Sequence, residues 1–274
     1  MSDHCIISAE CGINHGGSIE HAFDLVEAAK SAGADIAKFQ TYIVDRLLRR
    51  SDPDYDALAK HALPFAAFQK IKAHCDSVGI EFCSTPGDVD SLWFLVNECG
   101  VKRIKIGSDD LMNRELVGAA LKTRLPVILS TGMATLGEVA NALLPDALNH
   151  WNSLITLLHC VSLYPCPLEL VNLRAMDTMR EAFQRPVGYS DHTGGIEAPV
   201  YAALRGACMV EKHLMLRGDC IDSAVSVMPH QFESMVWEIR DAAVVLGDGV
   251  KAPGERERAA IKRLRKGADG LRGG

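Results

Sequence analysis

The nine cysteines of this chain include no Cys-x-x-Cys pair, so the usual thiol signature of a zinc ribbon or a thioredoxin-like redox site is missing. Several sit in apolar surroundings (Cys11, Cys83, Cys99, Cys160 and Cys208), as reduced core thiols do. No apolar run reaches the roughly 18 residues of a membrane span. Met1-Ser2-Asp3-His4 lacks the basic start and long apolar stretch of a secretory leader. These absences point to a cytoplasmic protein with no membrane partner. No Gly-x-Gly-x-x-Gly follows the first strand-like run, which removes the main argument for a dinucleotide-binding open sheet. Basic charge is also short: the formal net charge of −6 argues against nucleic acid as a partner. Local basic residues can still hold a small anion.

With 48% hydrophobic residues, the chain has enough apolar material for a sizeable core. Short apolar runs that read as strands cover Cys5–Ala9, Asp35–Gln40, Ile80–Ser84, Arg103–Ile106, Pro126–Ser130, Ile155–Cys160, Pro186–Tyr189 and Ala207–Glu211. Between them lie helical patterns such as Ile19, Phe23, Val26 and Ala29, or Phe232, Met235, Val236, Ile239, Ala243 and Leu246. Thr135-Leu-Gly-Glu138 reads as a capping box. Eight strand–helix units favour an α/β fold of the (β/α)8 TIM-barrel type, a single domain over residues 1–250, with a polar, basic tail at 251–274 that ends in Gly273-Gly274. One connection, Tyr42 to Pro64, is longer than the rest and is either a lid over the catalytic face or a solvated excursion.

Barrel enzymes gather their chemistry at the C-terminal ends of the strands. Those ends here supply Glu10, Lys38 with Gln40, Ser84 with Thr85, and Lys105 with Ser108. They continue with Ser130 and Thr131, His159 with Ser162 and Tyr164, Ser190 with His192, and His213. Lys38 and Lys105 stand within apolar runs, where an unpaired ammonium is costly and a phosphate or carboxylate would offset the cost. An internal salt bridge accounts for either lysine alone. Together with the hydroxyls of Thr85, Ser108, Ser130 and Ser190, the two lysines point to an anion site. His192 and His213 close neighbouring strands. With Glu10 or Asp191 beside them they could hold a borderline divalent ion such as Mn²⁺ or Zn²⁺; a hydrogen-bonded structural role is the alternative for each. His15 lies in a glycine-containing first βα loop, where the backbone could approach a ligand closely.

The same residues carry a family resemblance. Ala9-Glu-Cys-Gly-Ile-Asn-His-Gly-Gly17, Gly33-Ala-Asp-Ile-Ala-Lys-Phe-Gln-Thr41, Phe82-Cys-Ser-Thr-Pro86 and Lys105-Ile-Gly-Ser-Asp-Asp-Leu111 are similar to motifs of the sialic acid synthase family. So are Leu129-Ser-Thr-Gly-Met133, Leu158-His-Cys-Val-Ser-Leu-Tyr-Pro165, Gly188-Tyr-Ser-Asp-His-Thr193 and Glu211-Lys-His213. The resemblance implies a transferase that joins phosphoenolpyruvate to an N-acetylmannosamine-like or related aldose. The product is a 2-keto-3-deoxy sugar acid, with release of phosphate. It assigns Lys38, Thr85, Lys105, Ser108, Ser130, Ser162 and Ser190 to phosphoenolpyruvate, Ser162 replacing an Asn of some members. Gln40, Tyr164 and Asp222 fall to the acceptor. His192 and His213 become ligands of Mn²⁺ or Mg²⁺, Glu10 completes the catalytic set, and no organic cofactor is implied.

Two features depart from the family pattern. Members usually carry a small antifreeze-like domain after the barrel, which contributes an arginine to the sugar site across a dimer; this sequence stops at Gly274, so a barrel without it is expected. Arg46, Arg49 or Arg50 could replace that arginine, a solvated face being the other role for each, and barrel-to-barrel contacts could still form a homodimer. After His213 the usual Gly-Pro-Asp stretch gives way to Arg217-Gly-Asp-Cys-Ile-Asp222, which makes Asp219 a rival to Asp222. Two other readings compete with this one: a synthase for a phosphorylated aldose, and a non-catalytic ligand-binding barrel.

Overall fold

Strands that are apolar on both faces need cover on both sides, and a closed parallel barrel wrapped in helices provides it. The computed structural model describes residues 5–149, 154–268 and 270–272; Met1–His4 and Gly273–Gly274 lie outside the described residues. The first half of the chain runs β1 (Ile6–Gly12), α1 (Ile19–Ser31), β2 (Ile36–Thr41), α2 (Val44–Leu47), α3 (Tyr55–His61), α4 (Phe65–Val78), β3 (Glu81–Pro86), α5 (Val89–Asn97), β4 (Ile104–Ile106) and α6 (Arg114–Lys122). The second half adds β5 (Val127–Ser130), α7 (Leu136–Asn149), β6 (Ile155–His159), α8 (Ala175–Phe183), β7 (Val187–Asp191), α9 (Glu197–Leu204), β8 (Met209–Leu214), β9 (Ser226–Val227), α10 (Pro229–Leu246) and α11 (Glu255–Leu264).

The parallel strands are ordered β3-β2-β1-β8-β7-β6-β5-β4, with the short β9 added beside β8. β3 and β4 lie next to each other and bring the sheet round into a nearly closed barrel. β1 and β8 run past the Ala9 and Glu211 expected from sequence, to Gly12 and Leu214. Glu10 therefore sits inside the ladder, in register with Lys38 on one side and His213 on the other.

Alternation along the strands sorts the core into two layers. Outward residues such as Phe39, Phe82, Ile104 and Val210 pack with the helices in the main core. Inward, Ile36, Cys83, Ile128, Leu158 and Met209 form a separate small cluster that plugs the barrel. Gly188 belongs to this layer: a Cβ there would come within 2.4 Å of the Met209 carbonyl oxygen and 2.7 Å of Leu158, so β7 can pass the plug only without a side chain. Two residues further along β2, β3, β5, β7 and β8 the interior turns polar, at Lys38, Thr85, Ser130, Ser190 and Glu211.

The Thr135–Glu138 capping box forms as expected. Glu138 Oε2 accepts from the Thr135 amide at 2.7 Å, and Thr135 Oγ1 accepts from the Glu138 amide at 3.3 Å. The apolar period near the end buries Phe232, Met235, Val236 and Ile239, but Ala243 and Leu246 are exposed because α10 outruns the wall it packs on. Within the polar stretch after residue 250, α11 forms and is mostly exposed. All nine cysteines are free. Among the described residues no helix is long and apolar enough to cross a membrane.

Candidate active site

Above the plug, the barrel mouth opens into a cavity of ≈ 620 Å³. Every residue that the family resemblance assigns to the site lines it: Glu10, Lys38, Gln40, Thr85, Lys105, Ser108, Ser130, Ser162, Tyr164, Ser190, His192, His213 and Asp222. Strand parity explains the convergence. Lys38 and Gln40 follow Ile36 on the inner face of β2, Thr85 follows Cys83, Ser130 follows Ile128, and His213 follows Met209 at even spacing.

The same parity turns other strand-end polar residues away. Ser84 Oγ is 2.7 Å from Thr41 Oγ1 on the outer face, Thr131 bonds the Leu158 carbonyl, and His159 Nε2 is 2.7 Å from the Val171 carbonyl oxygen. Asp191, expected near the two histidines, also points outward and pairs with Lys212 at 2.6 Å. Asp219 is absent from the cavity wall, whereas Asp222 lines it and lies 3.3 Å from His213 Nδ1. The long segment after β2 does overhang the mouth, with Asp54, Ala57 and Leu58 in the wall and Tyr42 Oη donating to the Leu58 carbonyl at 3.0 Å. Its arginines do not reach in. Arg46 pairs with Asp90, Arg50 with Asp45, and neither they nor Arg49 lines the cavity.

The lysines are paired inside the protein. Lys38 Nζ is 2.5 Å from Glu10 and 3.6 Å from Glu211, and donates to Thr85 Oγ1 at 3.2 Å; Lys105 Nζ is 3.4 Å from Glu211. Burial works against the Lys38 ammonium, but Glu10 and Glu211 overcome it and hold the group charged. Burial likewise opposes the Glu211 carboxylate, yet Lys105, Lys38 and the Ser190 hydroxyl keep it ionised well below the usual carboxylate range. Glu211, like Asp54 and Asp109, is a lining carboxylate to which the sequence reading gave no role. The signal for Glu211 was available: it stands two residues before His213 and so shares its face.

His192 is held as a neutral donor–acceptor. Burial, followed by the nearby His213, pulls its pKa down to about 4. Its Nδ1 lies 2.8 Å from the Val161 carbonyl oxygen, which accepts the ring proton, and its Nε2 lies 2.9 Å from Tyr164 Oη. The two imidazole rings are 5.5 Å apart. Ser130 Oγ is buried without a hydrogen-bond partner, and the Gly132 amide donates to Ser108 Oγ at 3.0 Å. The cavity thus offers the unpartnered Ser130 hydroxyl beside two ammonium groups that share Glu211.

Residues 25–251 match the sequence model of the NeuB family. The chain belongs to the NeuB family. It is 40% identical to the N,N'-diacetyllegionaminic acid synthase of Legionella pneumophila across 94% of this chain and 79% of that one. It is 33% identical to the pseudaminic acid synthase of Campylobacter jejuni across 89% and 75%. Among solved structures, the N-acetylneuraminic acid (sialic acid) synthetase of Leptospira borgpetersenii superposes with a TM-score of 0.88 at 33% identity, covering 94% of this chain and 91% of that one. This NeuB-family chain is an enzyme of the sialic acid synthase type. Its relatives are named for different sugar acids, so family membership alone leaves the sugar open.

Proposed function

We propose that this NeuB-family enzyme condenses phosphoenolpyruvate with an aldose, N-acetylmannosamine-like or related, to give a 2-keto-3-deoxy sugar acid and phosphate. The observation that carries the proposal is the stacking of the cavity. Lys38 and Lys105 lie just above the plug with Thr85, Ser108, Ser130, Ser162 and Ser190 nearby, and Gln40, Tyr164 and Asp222 complete the wall. Phosphoenolpyruvate fits the first group, through ammonium and hydroxyl contacts to its phosphate and carboxylate. The aldose fits the second.

A divalent cation belongs in this reading on the chemistry of the walls. Two lysines face five carboxylates among the lining residues (Glu10, Asp54, Asp109, Glu211 and Asp222), an unfavourable field for a multiply anionic substrate unless a cation joins it. Among the described residues no three His, Cys, Asp or Glu side chains are gathered as a cage. The donors that fit are therefore the imidazoles of His192 and His213, with water and substrate completing the shell. The anchoring of His192 Nδ1–H on a backbone carbonyl is the support a metal-binding imidazole needs. When bound, Mn²⁺ or Mg²⁺ would supply positive charge that polarises the acceptor aldehyde.

The residues then divide the work. C3 of phosphoenolpyruvate forms a bond to the aldehyde carbon, leaving positive charge at C2. Glu10, held by Lys38 and by Gln40 Nε2 at 3.1 Å, stabilises that charge or orients the incoming water. Water adds at C2, the C2–O bond to phosphorus breaks, and phosphate leaves while the lysines and serines retain it. The test is phosphate release by the purified protein with Mn²⁺, phosphoenolpyruvate and a panel of N-acetylhexosamines and other aldoses. Release should depend on an acceptor, and His213→Ala should abolish it with the fold intact. A panel with no aldose-dependent release would sink the reading.

A further inference from the structure

A second pocket of ≈ 240 Å³ adjoins the main cavity, with Ile13 and Ile221 in the walls of both. It lies between the β1–α1 loop, the C-terminal end of α3 and the segment 217–221. Gly17 makes this junction possible: its φ is +81°, and a Cβ there would sit 2.7 Å from the Lys60 carbonyl oxygen. Gly17 thus admits α3 and brings Lys60 to the wall that holds His15, while Gly16 faces open space in the same wall.

His15 is 1% exposed. Its Nδ1 accepts from the Gly17 amide at 3.1 Å, so the proton of the neutral ring sits on Nε2, which has no partner. His21 repeats the arrangement. Its Nδ1 lies 3.3 Å from Arg217 Nη2, and because a guanidinium only donates, the His21 proton is also on Nε2, again without a partner. Burial first, then His61 and His21, keeps the His15 ring neutral down to about pH 4. Both histidines are therefore N–H donors with no acceptor. Around them Arg217 and Lys60 set two cations against the single carboxylate of Asp219, the reverse of the balance in the main cavity. Protonated Nε2 atoms do not ligate a metal, and an incoming group that accepts two N–H bonds in a field of cations is an anion.

We propose that this pocket binds an oxyanion, the phosphate or carboxylate group of a small molecule, between His15 Nε2 and His21 Nε2, with Arg217 and Lys60 supplying the charge. The α1 N-terminus, capped by Ser18 at the edge of the pocket, adds its partial positive charge. Two sources share this chemistry: free phosphate, or an anionic substituent on an acceptor that reaches past Ile13 and Ile221.

The test follows the imidazole Nε2–H signals of ¹⁵N-labelled full-length protein as inorganic phosphate is added, with His15→Gln and His21→Gln assigning the two signals. Both should shift saturably in the unaltered chain and in Lys105→Met, which impairs the main cavity. In Arg217→Met, an exposed position whose loss spares the fold, the apparent Kd should rise about ten-fold or more. Signals that do not shift overturn the proposal. So do shifts lost in Lys105→Met and kept in Arg217→Met, which would put the phosphate in the main cavity. A turnover arm separates the sources. If the group rides on the acceptor, Arg217→Met raises KM about ten-fold for aldoses with a terminal phosphate or carboxylate and leaves neutral aldoses unchanged. If the anion is free phosphate, both KM values stay put while the NMR shifts persist. The titration contains neither phosphoenolpyruvate nor aldose, so its outcome is independent of the condensation reaction.

Discussion

Strands β7 and β8 carry charged residues on both faces, and the two faces use them in opposite ways. Outward, Lys212 Nζ lies 2.6 Å from Asp191 and 2.6 Å from the Thr193 carbonyl oxygen, while Asp191 also accepts from Tyr189 Oη at 2.8 Å and Thr193 Oγ1 at 2.9 Å. Both partners of this pair are fully buried. Inward, Glu211 is shared between two lysines at 3.4 and 3.6 Å, and Ser130 Oγ nearby has no partner. The outer network is closed and ties β8 to β7 and to the turn that follows β7. The inner one is loose, and its spare valences are what a substrate can fill.

Three measurements can break or sharpen that contrast. The largest effect belongs to the outer face. Lys212→Met strands a buried Asp191 and should lower unfolding stability by about 3–5 kcal/mol in urea titrations, with Lys212→Met/Asp191→Leu recovering most of it. A single variant as stable as the unaltered chain would show that the outer pair is not structural. On the inner face, Lys105→Met leaves Glu211 with Lys38 and Ser190. It should cost about a hundred-fold in kcat/KM, on the order of 3 kcal/mol, with a smaller loss of stability than Lys212→Met. Equal losses of stability in the two variants would erase the distinction.

The smallest effect is a pH slope. Folded His15 takes a proton only near pH 4, whereas an unfolded imidazole does so near 6.5. Its contribution is complete above pH 6.5 and is lost as pH falls toward 4. The urea midpoint should fall across that window, and less steeply in His15→Gln; parallel slopes would remove His15 from the account.

Much of the fold and of the site was legible because both rest on period-two alternation. Ile36–Lys38–Gln40, Cys83–Thr85 and Ile128–Ser130 each show a plug residue followed by cavity residues, and parity alone puts them on one wall. The errors came from treating a strand end as a place without a side. Asp191 follows Ser190 and precedes His192, which makes it look like part of the same cluster, yet one residue of offset sends it behind the sheet. Asp219 and Asp222 lie in a loop with no period to sort them, and only the turn from Arg217 to Ser226 shows which reaches His213. Of the two roles open to Arg46, Arg49 and Arg50, the solvated face is the one they take: all three are exposed, and Asp45, Tyr55 and Asp90 claim the guanidinium groups that are paired.

The plug of Ile36, Cys83, Ile128, Leu158 and Met209 has one more consequence. It fills the barrel interior below the chamber, so a molecule reaches Lys38 and Lys105 from the open mouth, whose wall includes Asp54, Ala57, Leu58 and Tyr164. Under the proposed reaction, a molecule held by Lys38 and Lys105 would lie beneath one that settles against Tyr164. On that reading the depth of the barrel favours the deeper molecule arriving first and the shallower one departing first.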